Sequence, residues 1–123
     1  MLSEQTNWRL IKDVKRRKFC FLIEVNNWAI ELKKDEFELL YKLLVKLDNQ
    51  LFQIKSEMMD EESINLEIEQ MPWYAELDGN KYEWNLRLLF ESSEQTRSFQ
   101  MYWPIPIAKT LLYEIKKMWE SMD

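Results

Sequence analysis

Histidine is absent from this chain, and cysteine and glycine each occur only once. Without histidine, Ser-His-Asp and Cys-His nucleophile systems and histidine-ligated metals are excluded. A single cysteine excludes thiolate zinc sites and iron–sulfur clusters, and a single glycine excludes the glycine-rich loops that hold phosphates. Paired carboxylates remain the one open route to hydrolysis, and no such pair stands out. We therefore expect a protein that is not an enzyme and that needs no metal or cofactor.

Long apolar segments and flexible linkers are also absent. Proline occurs three times in 123 residues, and no apolar stretch approaches membrane-spanning length. The first residues lack the basic and apolar pattern of a signal peptide. Cys20 lies in an apolar run, which favours a buried, unreactive thiol. These observations predict one soluble domain over residues 1–123, in the reducing cytoplasm and away from membranes.

The chain is acidic and rich in aromatic residues. Hydrophobic residues make up 46% of it, and the formal net charge is -5. A domain of this size buries roughly two thirds of the surface that its unfolded chain exposes, which is enough for a core. The negative charge disfavours unspecific binding to nucleic acid or to anionic membranes, because both repel an acidic body.

The first half of the chain predicts three strands and a long helix. The strands are Trp8–Lys12, residues 19–25 and Trp28–Leu32, and Asn26-Asn27 suits a hairpin turn between the last two. A helix is predicted over about residues 35–59, with a capping box formed by Asp35 and Glu38. Its apolar stripe alternates steps of three and four residues and comprises Phe37, Leu40, Leu44, Leu47, Leu51, Ile54 and Met58.

The remainder predicts a four-stranded meander and a closing helix. Asp78-Gly79 is the strongest hairpin signal and should join residues 73–77 to residues 82–90. Pro104 stops the last strand, and Pro106 fits the first turn of a helix. The fold class is therefore α+β, with an antiparallel sheet–helix unit repeated twice: about three strands plus a long helix, then a four-strand meander plus a helix.

Several of these segments resemble a small cyanobacterial family, domain of unknown function eighteen-eighteen. The resemblance rests on residues 27–32 with Glu36-Phe37, and on residues 57–62. Further matches are Trp73, Gly79, Leu86-Arg87 and Trp103-Pro104, so that most of the chain is covered. The resemblance implies a fold similar to the Whirly-type single-stranded-DNA-binding transcriptional regulators. It implies no catalytic residue.

A dense run of positive charge lies between the first two predicted strands. It consists of Lys12, Lys15, Arg16, Arg17 and Lys18. Cations of this kind contact phosphates, and an exposed aromatic residue such as Trp8 could stack on bases. The alternative is that the run is a solvated connection between strands. The net negative charge of the chain favours this alternative. The run is the candidate nucleic-acid site.

A run of negative charge follows the long helix, at Glu57, Asp60, Glu61 and Glu62. Grouped carboxylates suit calcium, but the run lacks the glycine and the alternating spacing of an EF-hand loop. We interpret it as a charged turn and predict no metal site there.

Some apolar residues exceed what a single core needs. Tyr74, Tyr102 and Trp119 fit the inward rows poorly and are candidates for a partner surface. The long helix carries a second set outside its stripe, namely Leu39, Tyr41, Leu43, Val45 and Phe52. A homodimer or another protein partner would cover them. The sequence therefore favours a non-catalytic protein-interaction or assembly module, and the alternative is a single-stranded nucleic-acid binder of Whirly-like fold.

Overall fold

A computed structural model describes residues 8–25, 28–92 and 96–122, and these residues form seven strands and two helices. Along the chain the elements are β1 (Trp8–Lys12), β2 (Phe21–Val25), β3 (Trp28–Leu32), α1 (Lys34–Lys55), β4 (Ile64–Gln70), β5 (Trp73–Gly79), β6 (Trp84–Glu91), β7 (Ser98–Trp103) and α2 (Ile107–Glu120). Strands β1–β2–β3 form one antiparallel sheet, and β4–β5–β6–β7 form another. The predicted α+β class and its order of sheet, helix, sheet, helix are confirmed.

The core lies between the sheets and the helices and draws on both repeats. Alternation along β5 and β6 sends every second side chain inward, so that Trp73, Leu77 and Leu86 are fully buried. The apolar stripe of α1 covers this layer, and Phe37 stacks on Phe21 of the other sheet with ring centroids 4.2 Å apart. One continuous cluster of buried residues therefore joins both sheets and both helices.

Helix α1 begins one residue before its predicted start and uses another capping pair. The cap is Lys33, whose backbone N–H donates to Oε1 of Glu36 at 2.9 Å. Asp35 lies within the first turn and accepts from the N–H of Glu36. The predicted pair of Asp35 and Glu38 is therefore wrong. The spacing of three residues that the motif needs is met between residues 33 and 36 instead.

Helix α1 also ends earlier than predicted, at Lys55 rather than near Met59. Ser56 caps it, and residues 56–63 form turns. The acidic run explains the early end, because Glu57 and its neighbours would place negative charge at the negative end of the helix dipole. Lys55, a cation, occupies the last turn.

The hairpin of β5 and β6 differs from the prediction in its turn. Gly79 is the last residue of β5 and pairs with Trp84, so the loop comprises residues 80–83 and Tyr82 lies outside the strand. The side chain of Asn80 closes this loop by accepting from the N–H groups of Tyr82 and Glu83. Gly79 is required by close approach, since a Cβ atom there would lie 2.4 Å from the carbonyl oxygen of Glu83.

Two further boundaries concern the first sheet. Strand β2 begins at Phe21 rather than Phe19, because the backbone N–H of Asp13 bonds to the Cys20 carbonyl and closes the loop just before it. The predicted turn at Asn26-Asn27 lies outside the described residues, and the flanking Val25 pairs with Trp28. In the described part of the chain, neither helix is long and apolar enough to cross a membrane.

Candidate interaction surfaces

The basic run forms the loop between β1 and β2. We call residues 12–18 the basic loop. Lys12, Lys15, Arg17 and Lys18 are exposed, and none of them forms an ion pair with another described residue. Asp13 shapes the turn, because its Oδ1 accepts from the N–H of Lys15 at 3.0 Å. The loop therefore presents four available cations to solvent.

Arg16 differs from the other four cations. Its Nη2 lies 2.9 Å from Oε1 of Glu31 on β3, and the side chain is half-buried. Arg16 thus ties the loop to its own sheet. Trp8, the aromatic residue proposed for base stacking, is also half-buried, and its ring meets the edge of Trp103 at a centroid distance of 5.6 Å. The structure therefore places neither side chain where a nucleic-acid strand would contact it freely.

The outer face of the four-stranded sheet is strongly acidic. The alternation that buries one face turns the other residues outward, and we call these outward residues the acidic face. Its ionisable groups are five acids and one cation among the four described strands: Glu67, Glu69, Glu76, Asp78, Glu91 and Arg87. Like charges so close together raise the energy of the isolated surface and favour a cationic neighbour.

Only part of this charge is neutralised within the protein. Arg87 Nη2 lies 2.6 Å from Oε1 of Glu76, and Asn65 donates to the other oxygen of that carboxylate. The hydrogen bond from Asn65, and then that from Arg87, lower the pKa of Glu76. Tyr74 donates its hydroxyl to Glu67, which raises the pKa of the tyrosine. Glu69, Asp78 and Glu91 form no ion pair with any described residue.

Two of the three aromatic residues predicted for a partner surface lie on the acidic face. Tyr102 is exposed and pairs with Arg87, while Tyr74 is half-buried and pairs with Leu89. Trp119 lies elsewhere, half-buried in the helix layer, where its ring contacts Phe37 and Tyr41 at 6.1 Å and 5.9 Å. The structure thus brings Tyr74 and Tyr102 to one face and places Trp119 apart from them.

The two helices pack against each other and present a second surface. Tyr41 of α1 donates its hydroxyl to Glu120 of α2 at 2.7 Å, which raises the pKa of Tyr41. A second contact joins the helices two turns after Tyr41 on α1 and one turn before Glu120 on α2. There, Oδ2 of Asp48 and Nζ of Lys116 are 3.1 Å apart. A hollow of about 500 Å³ lies beside this pair, lined partly by Leu112 and Tyr113.

Exposed apolar side chains flank that ion pair. Phe52 is 78% exposed, one turn beyond Asp48, and Tyr113 is 60% exposed, one turn before Lys117. The other apolar residues that were predicted to lie outside the core stripe of α1 are less exposed than Phe52. Leu43 is buried, and Leu39, Tyr41 and Val45 are half-buried. We call Asp48, Phe52, Tyr113, Lys116, Lys117 and Glu120 the helix face.

A third site was not predicted from the sequence. Glu36 is only 7% exposed, and its Oε2 lies 2.7 Å from Nη1 of Arg97. Arg97 also donates to the carbonyl oxygen of Glu31 and lies over the rings of Phe19 and Phe90, with its guanidinium carbon 4.7 Å and 5.2 Å from their centroids. A cleft of about 390 Å³ opens beside the pair.

We call Glu36, Arg97 and these contacts the junction, because they join α1 to both sheets. Trp73 adds a buried hydrogen bond from Nε1 to the Glu36 carbonyl at 2.8 Å. In the sequence, Glu36 stood out only within the Glu36-Phe37 pair of the family resemblance, because the cap at Lys33 was not predicted. Arg97 follows a polar loop, and nothing in the local pattern distinguishes it from a solvated arginine.

The acidic turn after α1 is held by protein contacts. Asp60 Oδ1 accepts from Tyr82 at 2.8 Å and lies 3.1 Å from Lys81 Nζ. Both contacts lower the pKa of Asp60, with the hydrogen bond from Tyr82 as the larger cause. Among the described residues, no group of three or more His, Cys, Asp or Glu side chains is placed to hold a metal ion.

The fold and its surfaces define a two-sheet, two-helix α+β protein. The family model for domain of unknown function DUF1818 matches residues 3–118, and the chain belongs to this family. Similarity extends to a crystal structure of a protein of unknown function from Prochlorococcus sp. NATL2A, described as a member of the DUF155 family. Its sequence is 37% identical, the alignment covers 97% of this chain and 99% of the other, and the TM-score is 0.82. Among curated proteins, none matches this chain.

Proposed function

We propose that the protein is a non-catalytic assembly module whose copies associate through the helix face. The observation that carries this proposal is the exposure of Phe52 and Tyr113, each about one turn along its own helix from the Asp48–Lys116 pair. Aromatic side chains are enriched in protein interfaces because they bury a large area at a small entropic cost. The absence of histidine and of nucleotide-binding loops supports the non-catalytic part, and the lone cysteine suits a cytoplasmic setting.

The charges of the helix face favour a second copy as the partner. The face carries two acids, Asp48 and Glu120, and two cations, Lys116 and Lys117. In a two-fold symmetric dimer each patch meets its own copy, so an acid of one protomer can lie opposite a cation of the other. The hollow beside Leu112 and Tyr113 provides room for an aromatic ring from the partner.

Light scattering on size-exclusion fractions tests this proposal at about 500 mM salt, where contacts between surface charges are screened. We expect the wild-type protein to be a dimer or larger, and the variant Phe52→Ser with Tyr113→Ser to be a monomer. The matched control is Met59→Ser with Met71→Ser, which removes two side chains that are 75% and 62% exposed elsewhere. A monomeric wild-type protein at high micromolar concentration would contradict the proposal, as would equal dissociation of the control variant.

Binding of single-stranded nucleic acid is the second candidate function. The exposed cations of the basic loop favour it, as does the proposed likeness to Whirly-type architecture, which rests on the shared order of sheet and helix. Contact of four cations with phosphates predicts a log–log salt slope of roughly -3 for a single strand. Anisotropy of a labelled strand should then rise at low salt and fall in the variant Lys15→Glu with Arg17→Glu. An unchanged anisotropy at low salt would end this candidate.

A further inference from the structure

The basic loop and the acidic face have opposite charge, and most of their charged groups have no ion-pair partner among the described residues. The loop offers Lys12, Lys15, Arg17 and Lys18, all exposed and without an ion pair among the described residues. The face offers four acids that no described cation neutralises, namely Glu67, Glu69, Asp78 and Glu91. The two charge sets are therefore equal in number and opposite in sign.

The basic loop and the acidic face also each carry apolar side chains among their charged groups. Val14 lies within the basic loop and is 79% exposed. The acidic face carries half-buried Tyr74 and Leu89 among its acids, and exposed Tyr102 on the edge strand beside Arg87. A loop with one aliphatic side chain among cations fits a face with aromatic and aliphatic side chains among acids, because apolar contact in the centre excludes water from the ion pairs at the rim.

We infer that the acidic face is a docking surface for the basic loop of a second copy of this chain. This contact is heterologous, since the loop of one protomer meets the face of the next. It is distinct from the helix face and does not depend on the proposed function. Repetition of a heterologous contact generates rings or open chains, so it can link copies that are joined in pairs through their helices.

Arg16 sets the loop for this contact. Its ion pair with Glu31 fixes the middle of the loop to β3, so that the neighbouring cations Lys15 and Arg17 are held outward. Ordering the loop before association reduces the entropic cost of docking. The attraction between loop and face acts over about a Debye length, roughly 10 Å at 0.1 M salt, so the contact should weaken as salt is added.

Sedimentation velocity at about 20 mM and about 500 mM salt, which bracket the screening range, tests the inference. The wild-type protein should show a mass at low salt at least double that at high salt. The loop variant, Lys15→Glu with Arg17→Glu, and the face variant, Glu67→Lys with Glu69→Lys, should each lose this increase. Controls of the same charge change, Lys42→Glu with Lys46→Glu and Glu57→Lys with Glu61→Lys, alter exposed residues outside the basic loop and the acidic face and should keep it.

A mixture of the two variants gives the sharpest result. The loop variant keeps its acidic face and the face variant keeps its basic loop, so the equimolar mixture should associate at low salt where neither variant does alone. A wild-type mass that does not change with salt would overturn the inference, as would an increase in the mass of the face variant alone at low salt. Loss of the low-salt mass on nuclease treatment would overturn it as well, because the loop would then hold nucleic acid.

This test separates the inference from the proposed function. If the helix face does not dimerise, the high-salt species is a monomer, and the salt-dependent increase starts from that smaller unit. If the loop and face do not meet, the helix-face dimer persists at both salt concentrations, and the mass is constant. The mass at high salt therefore tests the helix face, and the change in mass between the two salt concentrations tests the loop–face contact.

Discussion

Two glutamate–arginine pairs in this protein have nearly the same length but different surroundings. At the junction, Glu36 and Arg97 are 2.7 Å apart, and the carboxylate is nearly inaccessible to water. On the acidic face, Glu76 and Arg87 are 2.6 Å apart, and both side chains are partly exposed. The junction pair closes the contact between the two sheets, whereas the outer pair can exchange its partners for water. We therefore expect the charges at the junction to stabilise the fold and those on the outer face to be available for binding.

Loss of the junction arginine should have the largest effect. In Arg97→Ala, the carboxylate of Glu36 is left buried without its cation, and the contacts with Phe19 and Phe90 are lost. We expect the free energy of unfolding to fall by about 3 kcal/mol, at the lower end for a broken buried pair because Arg97 is partly exposed. Urea unfolding followed by tryptophan fluorescence measures this loss. A midpoint equal to that of the wild-type protein would show that the junction pair does not stabilise the fold.

A change at Gly79 should have the next largest effect. Alanine there would place Cβ 2.4 Å from the Glu83 carbonyl oxygen and 2.6 Å from Trp84 Cα, both backbone atoms that cannot turn aside. We expect Gly79→Ala to destabilise the protein by about 2 kcal/mol through displacement of the 80–83 loop. The matched control is Asp78→Ala, one residue earlier and exposed, which should leave the urea midpoint nearly unchanged. Equal midpoints for the two variants would refute this role of the glycine.

The ion pair between Glu76 and Arg87 should contribute much less than the junction pair to the free energy of unfolding at neutral pH. In Arg87→Ala, Glu76 keeps the hydrogen bond from Asn65 and regains water on its other oxygen. Exposed ion pairs gain little because water screens them and because both side chains lose freedom. The urea midpoint should therefore shift far less than in Arg97→Ala. Shifts of similar size in the two variants would remove the distinction between junction and outer face.

The smallest expected effect is a loss, on acidification, of the stability that the Glu76–Arg87 pair provides. The pKa of Glu76 is lowered in the folded protein, first by Asn65 and then by Arg87, so the unfolded chain binds the proton more readily. The stability from this group is present above the ordinary pKa of a glutamate, about 4.5, and is lost as pH falls through the lower pKa of the folded protein. The difference in midpoint between the wild-type protein and Arg87→Ala should thus shrink on acidification. A difference that stays constant from pH 7 to acid would contradict this assignment.

The sequence predicted those features that depend on local periodicity. Alternation placed Trp73 and Leu86 inward, and the stripe of α1 identified Phe37 as a core residue. The same alternation left Tyr74 and Tyr102 as outward residues, which is where the structure places them. Helix ends and turns were less accurate, because they depend on single hydrogen bonds such as that from Lys33 to Glu36.

The junction could not be predicted in this way. Glu36 and Arg97 are separated by 61 positions and meet only after both sheets have packed on α1. Phe19 and Phe90, which face the same guanidinium, come from different sheet–helix units. A local pattern contains no information on such a contact. The helix face was anticipated only as a surplus of apolar residues on α1, since its other half lies on α2.

The mass of the wild-type protein as a function of its concentration tests the central claim of self-assembly most directly. Sedimentation equilibrium at about 500 mM salt screens the loop–face contact and isolates the helix face. We predict a mass of at least twice 15.2 kDa in the high micromolar range, falling toward that of one chain on dilution. A mass of one chain at every concentration would contradict the account.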